Sequence, residues 1–364
     1  MFNENSACSF CVMPNDSSLQ EILGRCVYCS KAQRALEKNS TISPFSQEWQ
    51  NYIDVEFPKL NNDFDAIIGL SGGIDSSYAA HLLKLSGVRL LGFHVDCGWN
   101  TTEAINNIGN LSRELNIPIV TKIINWEVFR ELQVAYLRSG VINQDVPQDH
   151  LFPILTRKFA REMGINKIVS GWNLATESIL PVEWAYSPRD ARQIFDIGRL
   201  NNLSRNELLD LGVRSQFSEF LRYNSLNKIH TSRPLNQIDF HRDKSEEELS
   251  KLYGWQSYGN KHEESRWTKF HQGILLPEKW KIDKRIAHFS SLIVSKQMTR
   301  EVAIQRLRVP IFDAAERASE MIFVAHKLRL DVATLEEFIA SEKRYHSEFA
   351  GYHQMRKFKK VIGL

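Results

Sequence analysis

Nothing in the 364 residues is apolar for the roughly 18 positions that a bilayer-spanning helix needs. The first ten, MFNENSACSF, lack the basic start and apolar core of a secretory leader, so a cytoplasmic protein is expected. Surplus charge is missing too: 46 Lys and Arg stand against 43 Asp and Glu, a formal net charge of +3. That falls short of a dedicated nucleic-acid binder; a phosphorylated ligand is compatible with it, but a long duplex is not implied. There is no internal repeat and no low-complexity tract. Cysteine is scarce, with 5 residues, and four of them come before residue 30.

These four, Cys8, Cys11, Cys26 and Cys29, read CxxC, a gap of 14 residues, then CxxC. In a reducing compartment such pairs serve as thiolate ligands of a tetrahedral metal more often than as disulfides, and the spacing resembles a zinc ribbon or knuckle. Zn²⁺ is the favoured occupant, with an iron–sulfur cluster or a redox pair as alternatives. Four thiolates leave no open position for water, so the expected role is structural.

Residues 65 to 77 read DAIIGLSGGIDSS: an apolar run, a loop of Ser and Gly, then the start of an amphipathic stretch. Gly72 and Gly73 let the backbone turn tightly, and the helix that follows points its positive end at the same place, the makings of a phosphate cradle. The GxxxxGK[ST] loop of kinases and GTPases does not fit, because too few residues separate the glycines and no Lys follows. Ser71, Ser76 and Ser77 offer hydroxyls to phosphate oxygens, or else act as caps. Asp75, in the first helical turn, would hold Mg²⁺ bridging the nucleotide, the bland alternative being an acid that only complements the helix dipole. As a string, SGGIDSS resembles the SGGxDSS motif of the ATP pyrophosphatase (PP-loop) superfamily, which splits ATP between the alpha and beta phosphates.

Around the loop the pattern alternates. DAIIGL, VRLLGFHVD, IPIVTKIIN and NKIVSG read as strands, and DSSYAAHLLKLSG, TTEAINNIGNLSREL, WEVFRELQVAYLRSG and QDHLFPILTRKFAREMG as helices. This predicts an α/β fold, a parallel twisted sheet with helices on both faces, and ligands at the carboxyl ends of the strands. His94 and Asp96 end the second strand, where backbone would grip an adenosine. Resemblance to related pyrophosphatases makes Gly171 and Glu177 of SGWNLATES nucleotide-site candidates, although Glu177 also suits a helix start. Cys97 reads as a small buried residue, with a reactive thiol as the other reading.

Beyond residue 181 the pattern shortens, with capping boxes expected at Ser187–Asp190, Ser204–Glu207 and Ser245–Glu248. The stretch 251–290 carries Lys261, His262, Glu263, Glu264, Arg266, Asp283, Lys284, Arg285 and His288 among Tyr253, Trp255, Tyr258 and Trp267. A solvated charged surface is the default for such a run, but so many large aromatics favour a site, with Lys261, Lys284 and Arg285 as cations for a departing pyrophosphate or an acidic sugar nucleotide. Residues 299–362 read as helices, one capped by Thr334 and Glu337, ending in the basic MRKFKK. Three regions are expected: a four-cysteine zinc module over 1–40, a PP-loop pyrophosphatase domain over 60–240, and a helical substrate- or partner-binding region over 241–364.

Taken together, the cysteine pairs, LSGGIDSS, HVDCGWN, SGWNLATES, YGWQSYGNKHEESRWTKF and DKRIAHFSSLI resemble the N-acetyl sugar amidotransferase family, pyrophosphatases of bacterial surface polysaccharide (lipopolysaccharide, O-antigen) biosynthesis. Cys97 departs from it, standing where the family's DNGW-like string has Asn. The resemblance implies an adenine nucleotide alpha hydrolase-like fold. It also implies conversion of a sugar acetamido group to an acetamidino group with ATP and ammonia, on a nucleotide-linked sugar. Residue 2 is Phe and Cys97 lacks a glycine-flanked elbow, so neither glutaminase nucleophile is present. The resemblance implies a separate glutaminase subunit and an ammonia-conveying companion. A PP-loop tRNA-modifying enzyme and a nonenzymatic nucleotide sensor are the competing readings; low net charge and the lack of a paired catalytic cysteine in the nucleotide domain weigh against the first.

Overall fold

The computed structural model describes residues 4–14, 24–39, 41–59, 61–215, 229–259 and 261–351. Two helices, α1 (Val27–Glu37) and α2 (Gln47–Glu56), precede the alternating region. It runs β1 (Ala66–Gly69), α3 (Ile74–Leu85), β2 (Leu90–Asp96), α4 (Thr102–Glu114), β3 (Ile119–Ile123), α5 (Trp126–Ser139), α6 (Val146–Glu162), β4 (Lys167–Val169) and α7 (Leu174–Glu177). Then come α8 (Ala191–Gly198), α9 (Arg205–Leu211), β5 (His230–Ser232) and α10 (Arg242–Tyr253). The rest is α11 (Arg266–Phe270), a π-helical stretch His271–Trp280, α12 (Arg285–Val294), α13 (Arg300–Arg308), α14 (Ala314–Leu328) and α15 (Val332–Ala340). Among the described residues no helix is long and apolar enough to cross a membrane.

The sheet is wholly parallel, in the order β3-β2-β1-β4-β5. The chain moves outward from β1 through β2 to β3, then crosses back to β4 on the other side, so the order reverses beside β1. A crevice opens at such a reversal, outside the strand carboxyl ends. Alternation along β1 serves both faces: Ala66 and Ile68 join a core with α3 and α4, whereas Ile67 joins one with α5 and α6. That second core also takes Trp267, Phe270, Met321, Val324 and Leu335, so the C-terminal helices share it with the sheet. A third cluster packs the four N-terminal cysteines against α12 and α13.

The four expected strands and their helices are present, and the expected covering of both faces holds except at the edge. β3 leaves Val120 and Ile123 open, Ile123 at 71% exposure. β5 was not legible: HTS is three residues with no apolar run. Of the expected capping boxes, Ser204–Glu207 forms. Ser187–Asp190 does not, for α8 starts after Asp190 with no side-chain cap. Ser245 lies inside α10, its Oγ donating to the His241 carbonyl, because the helix begins earlier at Arg242. For α15 the cap is Asp331, which accepts from the Thr334 N–H, and not Thr334 itself. The basic end MRKFKK lies outside the described residues.

Candidate active site

The loop after β1 enters α3 with no side-chain cap on the helix, and the Gly73 N–H donates to Ser71 Oγ at 3.2 Å. Gly72 has φ +80°, and a Cβ there would stand 2.3 Å from the Ala104 carbonyl oxygen, so only glycine fits. Buried Asn107 of α4 donates from Nδ2 to the Gly72 and Gln256 carbonyls and accepts from the Gln256 N–H, tying the loop to the segment after α10. Tyr258 follows, its hydroxyl accepting from the Ile74 N–H at 3.2 Å. Gly171, after β4, packs against the same helix start: a Cβ would be 2.6 Å from the Ser76 nitrogen.

Lys261 enters this crevice. Its Nζ lies 2.7 Å from Asp75 Oδ2, 2.9 Å from Glu177 Oε1 and 2.6 Å from Thr176 Oγ1. A cation thus bridges the two carboxylates, while Asp75 Oδ1 is buried with no partner. Burial opposes the Lys261 charge, but Asp75 and Glu177 outweigh it and raise its pKa. Burial raises Glu177 against the pull of Lys261. Glu264, buried near Asp75 and Glu177, is pushed up to about 7, mainly by burial.

Three chambers meet here, and His262, in a left-handed conformation (φ 68°), lines all of them. One of about 500 Å³ is walled by Ser71, Gly73, Asp75, Ser76, Gly171, Trp172, Glu177 and Lys261 at the β1–β4 crevice. A second, about 360 Å³, lies at the β2 side, with His94, Asp145, Asp149 and Glu264. The third, about 170 Å³, is walled by Trp172, Lys269, Gln272, Lys284, Arg285, His288 and Phe289. The wide π-helical turn places Gln272 on its wall, a common setting for functional residues. His262 and Asp149 expose part of their surface to the chambers they line. Burial, with Lys261 and Lys284, holds His262 well below its ordinary pKa. Burial and Lys261 hold His288 down at about 3, so both rings are neutral.

The structure brings Ser71, Gly73, Asp75, Ser76, Gly171, Glu177 and Lys261 to one chamber, with Gly72 buried in the loop itself. Ser77 is buried away from it, its Oγ without a partner. His94 faces the second chamber, held by the Leu70 carbonyl and Asn100 Nδ2. Arg285 lines the third but is engaged by Asp283 and the Arg306 and Val309 carbonyls. Lys284 lines the second and third chambers and makes no ion pair among the described residues. Of the four aromatics, only Tyr258 reaches the loop. Trp255 and Trp267 belong to the cores, and the Tyr253 hydroxyl meets His81. Arg266 is structural, paired with Glu320 and stacked on Phe323. Thr176, Trp172, Gln272, Asp149 and Asn107 were not anticipated; the one sequence signal was an Asn at 107 on the apolar side of α4, between Ala104 and Leu111.

The four N-terminal sulfurs lie within 4.8 Å of one another, with Cys8–Cys29 at 4.0 Å, Cys11–Cys26 at 3.7 Å and Cys26–Cys29 at 3.6 Å. A tetrahedron with metal–sulfur bonds of about 2.3 Å has edges of about 3.8 Å, so the set fits zinc. Cys97, 5% exposed, is a thiol whose pKa burial pushes up.

Residues 264–362 match the family model described as LPS biosynthesis protein WbpG-like, C-terminal domain. This segment carries Glu264, Gln272, Lys284, Arg285 and His288 of the chamber walls. A comparison with curated proteins found no match. Among solved structures, the chain is similar to an NH3-dependent NAD synthetase from Campylobacter jejuni in complex with nitrate, at 15% identity and TM-score 0.29, covering 53% of this chain and 82% of that one. It is similar to an NMN synthetase from Francisella tularensis, at 18% identity and TM-score 0.29, covering 53% and 81%. A glutamine-dependent NAD+ synthetase from Acinetobacter baumannii in complex with ADP gives 11% identity and TM-score 0.32, covering 80% and 45%.

Proposed function

We propose that the chain is an ATP-dependent amidotransferase that converts the acetamido group of a nucleotide-linked sugar to an acetamidino group in lipopolysaccharide or related surface-glycan biosynthesis, cutting ATP to AMP and pyrophosphate. The observation that carries this is the shared boundary of two chambers. The SGGIDSS loop with Asp75, Glu177 and Lys261 forms one, and Lys261 and His262 open directly onto another, whose remaining walls come largely from the segment matching an LPS-biosynthesis family.

The loop and helix N–H groups of α3 would hold the phosphates. Asp75 and Glu177, with the Thr176 hydroxyl, are hard oxygen donors suited to Mg²⁺, which would neutralise charge on the pyrophosphate. Lys261 supplies a second cation for that charge, and neutral His262 adds none. The acceptor's amide oxygen attacks the alpha phosphorus; the new P–O bond forms as the bond to pyrophosphate breaks, leaving an adenylated imidate. Lys269, Lys284 and Arg285 suit an anionic, nucleotide-linked acceptor. Ammonia then adds to the imidate carbon and AMP departs. Cys97, buried and held as a thiol, is unsuited to be a glutaminase nucleophile, so on this reading the nitrogen comes from a separate glutaminase by way of an ammonia-conveying companion.

Incubating the protein with MgATP, ammonium and a panel of UDP- and CMP-linked acetamido sugars, and measuring pyrophosphate and product mass, tests this. Sugar-dependent pyrophosphate and a product in which NH replaces oxygen is the expected result. Release with tRNA and with none of the sugars would overturn it. Asp75→Asn should reduce pyrophosphate release to background while the melting curve keeps its shape.

A further inference from the structure

Three arginines at the far end of the nucleotide chamber have no part in holding ATP on the loop. Arg157 of α6, Arg189 ahead of α8 and Arg233 directly after β5 all line it, together with Trp172. Arg233 lays its guanidinium over the Trp172 ring, 4.7 Å from the centroid, a stacking that orients the planar fork. Neither Arg189 nor Arg233 makes a hydrogen bond or ion pair among the described residues. The carboxylates of the chamber lie toward its other end: Lys261 bridges Asp75 and Glu177, and Glu264 also lines the second chamber. Neighbouring strands stand about 4.8 Å apart, so the root of Arg233 after β5 and the root of the SGGIDSS loop after β1 are about 10 Å apart along the carboxyl edge.

We propose that Arg189 and Arg233, with Arg157 beside them, form a second diphosphate site, separate from the loop, which holds the diphosphate between nucleotide and sugar in the acceptor. That occupant rests on the amidotransferase reading; the site does not. At about 170 Å³ the third chamber has room for a sugar ring but not for the nucleotide attached to it, since pockets for larger ligands run from about 300 Å³ upward. Trp172 walls both chambers, so an acceptor seated in the third passes its diphosphate across Trp172 toward the arginines.

Two diphosphates then share one chamber, that of ATP and that of the acceptor, and their mutual repulsion calls for two sets of cations. The chamber walls carry two sets: Lys261 beside the loop at the β1 end, and the arginines at the β5 end. Arginine suits the second, because its guanidinium binds phosphate oxygens in pairs and keeps its charge at any working pH. The departing pyrophosphate is the other source of this chemistry, and the probes below separate the two.

Calorimetric titration of the full chain decides this, with the loop first filled by Mg²⁺ and α,β-methylene-ATP, which resists cleavage at the reacting bond. UDP and inorganic pyrophosphate are the probes, on the wild type and on the double variant Arg189→Gln, Arg233→Gln, whose melting curve checks that it folds. UDP is expected to bind the loaded wild type, and the double variant to weaken it at least about 10-fold, the value of one lost hydrogen bond to a charge. Affinity for the ATP analogue should change little. Binding of pyrophosphate but not of UDP, weakened in the variant, supports the diphosphate site and overturns the acceptor as its occupant. Binding of neither probe, or UDP binding that the variant leaves intact, overturns the site. A variant that loses the ATP analogue as strongly as UDP assigns the arginines to the ATP site and overturns a second one. UDP binding that the variant weakens, with no sugar giving pyrophosphate in turnover, supports the site and overturns only the amidotransferase reading.

Discussion

Gly171 shows how tightly the site is specified at single residues. Its backbone touches the first turn of α3, so Gly171→Ala forces β4's loop away from the start of that helix. A loss of about 1–3 kcal/mol in stability is expected from such overpacking. The KM for ATP should rise with it, read by melting and initial rates. Glu264 gives a pH signature. Its carboxyl titrates near 4.5 unfolded and about 7 folded, so between these values the folded chain binds more protons, and its contribution to stability is lost as pH rises through that window. Glu264→Gln should therefore flatten the pH–stability curve between about pH 4.5 and 7 and raise stability at pH 8, by roughly 1–3 kcal/mol at most. An unchanged curve would remove Glu264 as a perturbed group.

At the scale of elements, α12 joins the cysteine cluster to the site. Ser290 Oγ accepts from the Val12 N–H, and Phe289 and Ile293 pack in the cysteine cluster. Neighbouring positions meet the segment after β4: Ser291 Oγ accepts from the Ile179 N–H, and His288 Nδ1 approaches the Thr176 carbonyl at 3.3 Å. Arg300, opening α13, donates to the Cys8 and Cys11 carbonyls. Removing a metal held by the four cysteines, by chelation or by Cys26→Ser, should loosen α12 while the sheet stays folded, since its cores lie elsewhere. Amide exchange should quicken over 285–294, and the KM for acceptor should rise more than the KM for ATP. Equal slowing across the whole chain would show the module to be a general stabiliser instead.

For the whole molecule, the proposed reading gives the chambers nucleotide and acceptor, and Cys97, the one cysteine outside the four-sulfur cluster, is a buried thiol unsuited to release ammonia from glutamine. The purified chain is expected to liberate no ammonia from glutamine under conditions where ammonium supports turnover, measured by a coupled ammonia assay. Liberation by the chain alone would refute a separate glutaminase.

Much of this was legible without coordinates, because it is carried by neighbours in sequence. A glycine-rich turn between an apolar run and a helix makes its own cradle; two CxxC pairs make their own ligand set; alternating periods of strand and helix make a parallel sheet. β5, too short to show a period, escaped, and so did the true start of α10, where Ser245 offered a false cap. What only the tertiary structure decided is which distant charges converge. Lys261 stands 186 positions from Asp75 yet bridges it to Glu177. Asp149 is one of many acids on helices, distinguished only by the chamber it faces. Such approaches depend on how the helices pack over the sheet, and no local pattern encodes that packing; nor could composition tell that Trp255 and Trp267 are core and Tyr258 alone touches the loop.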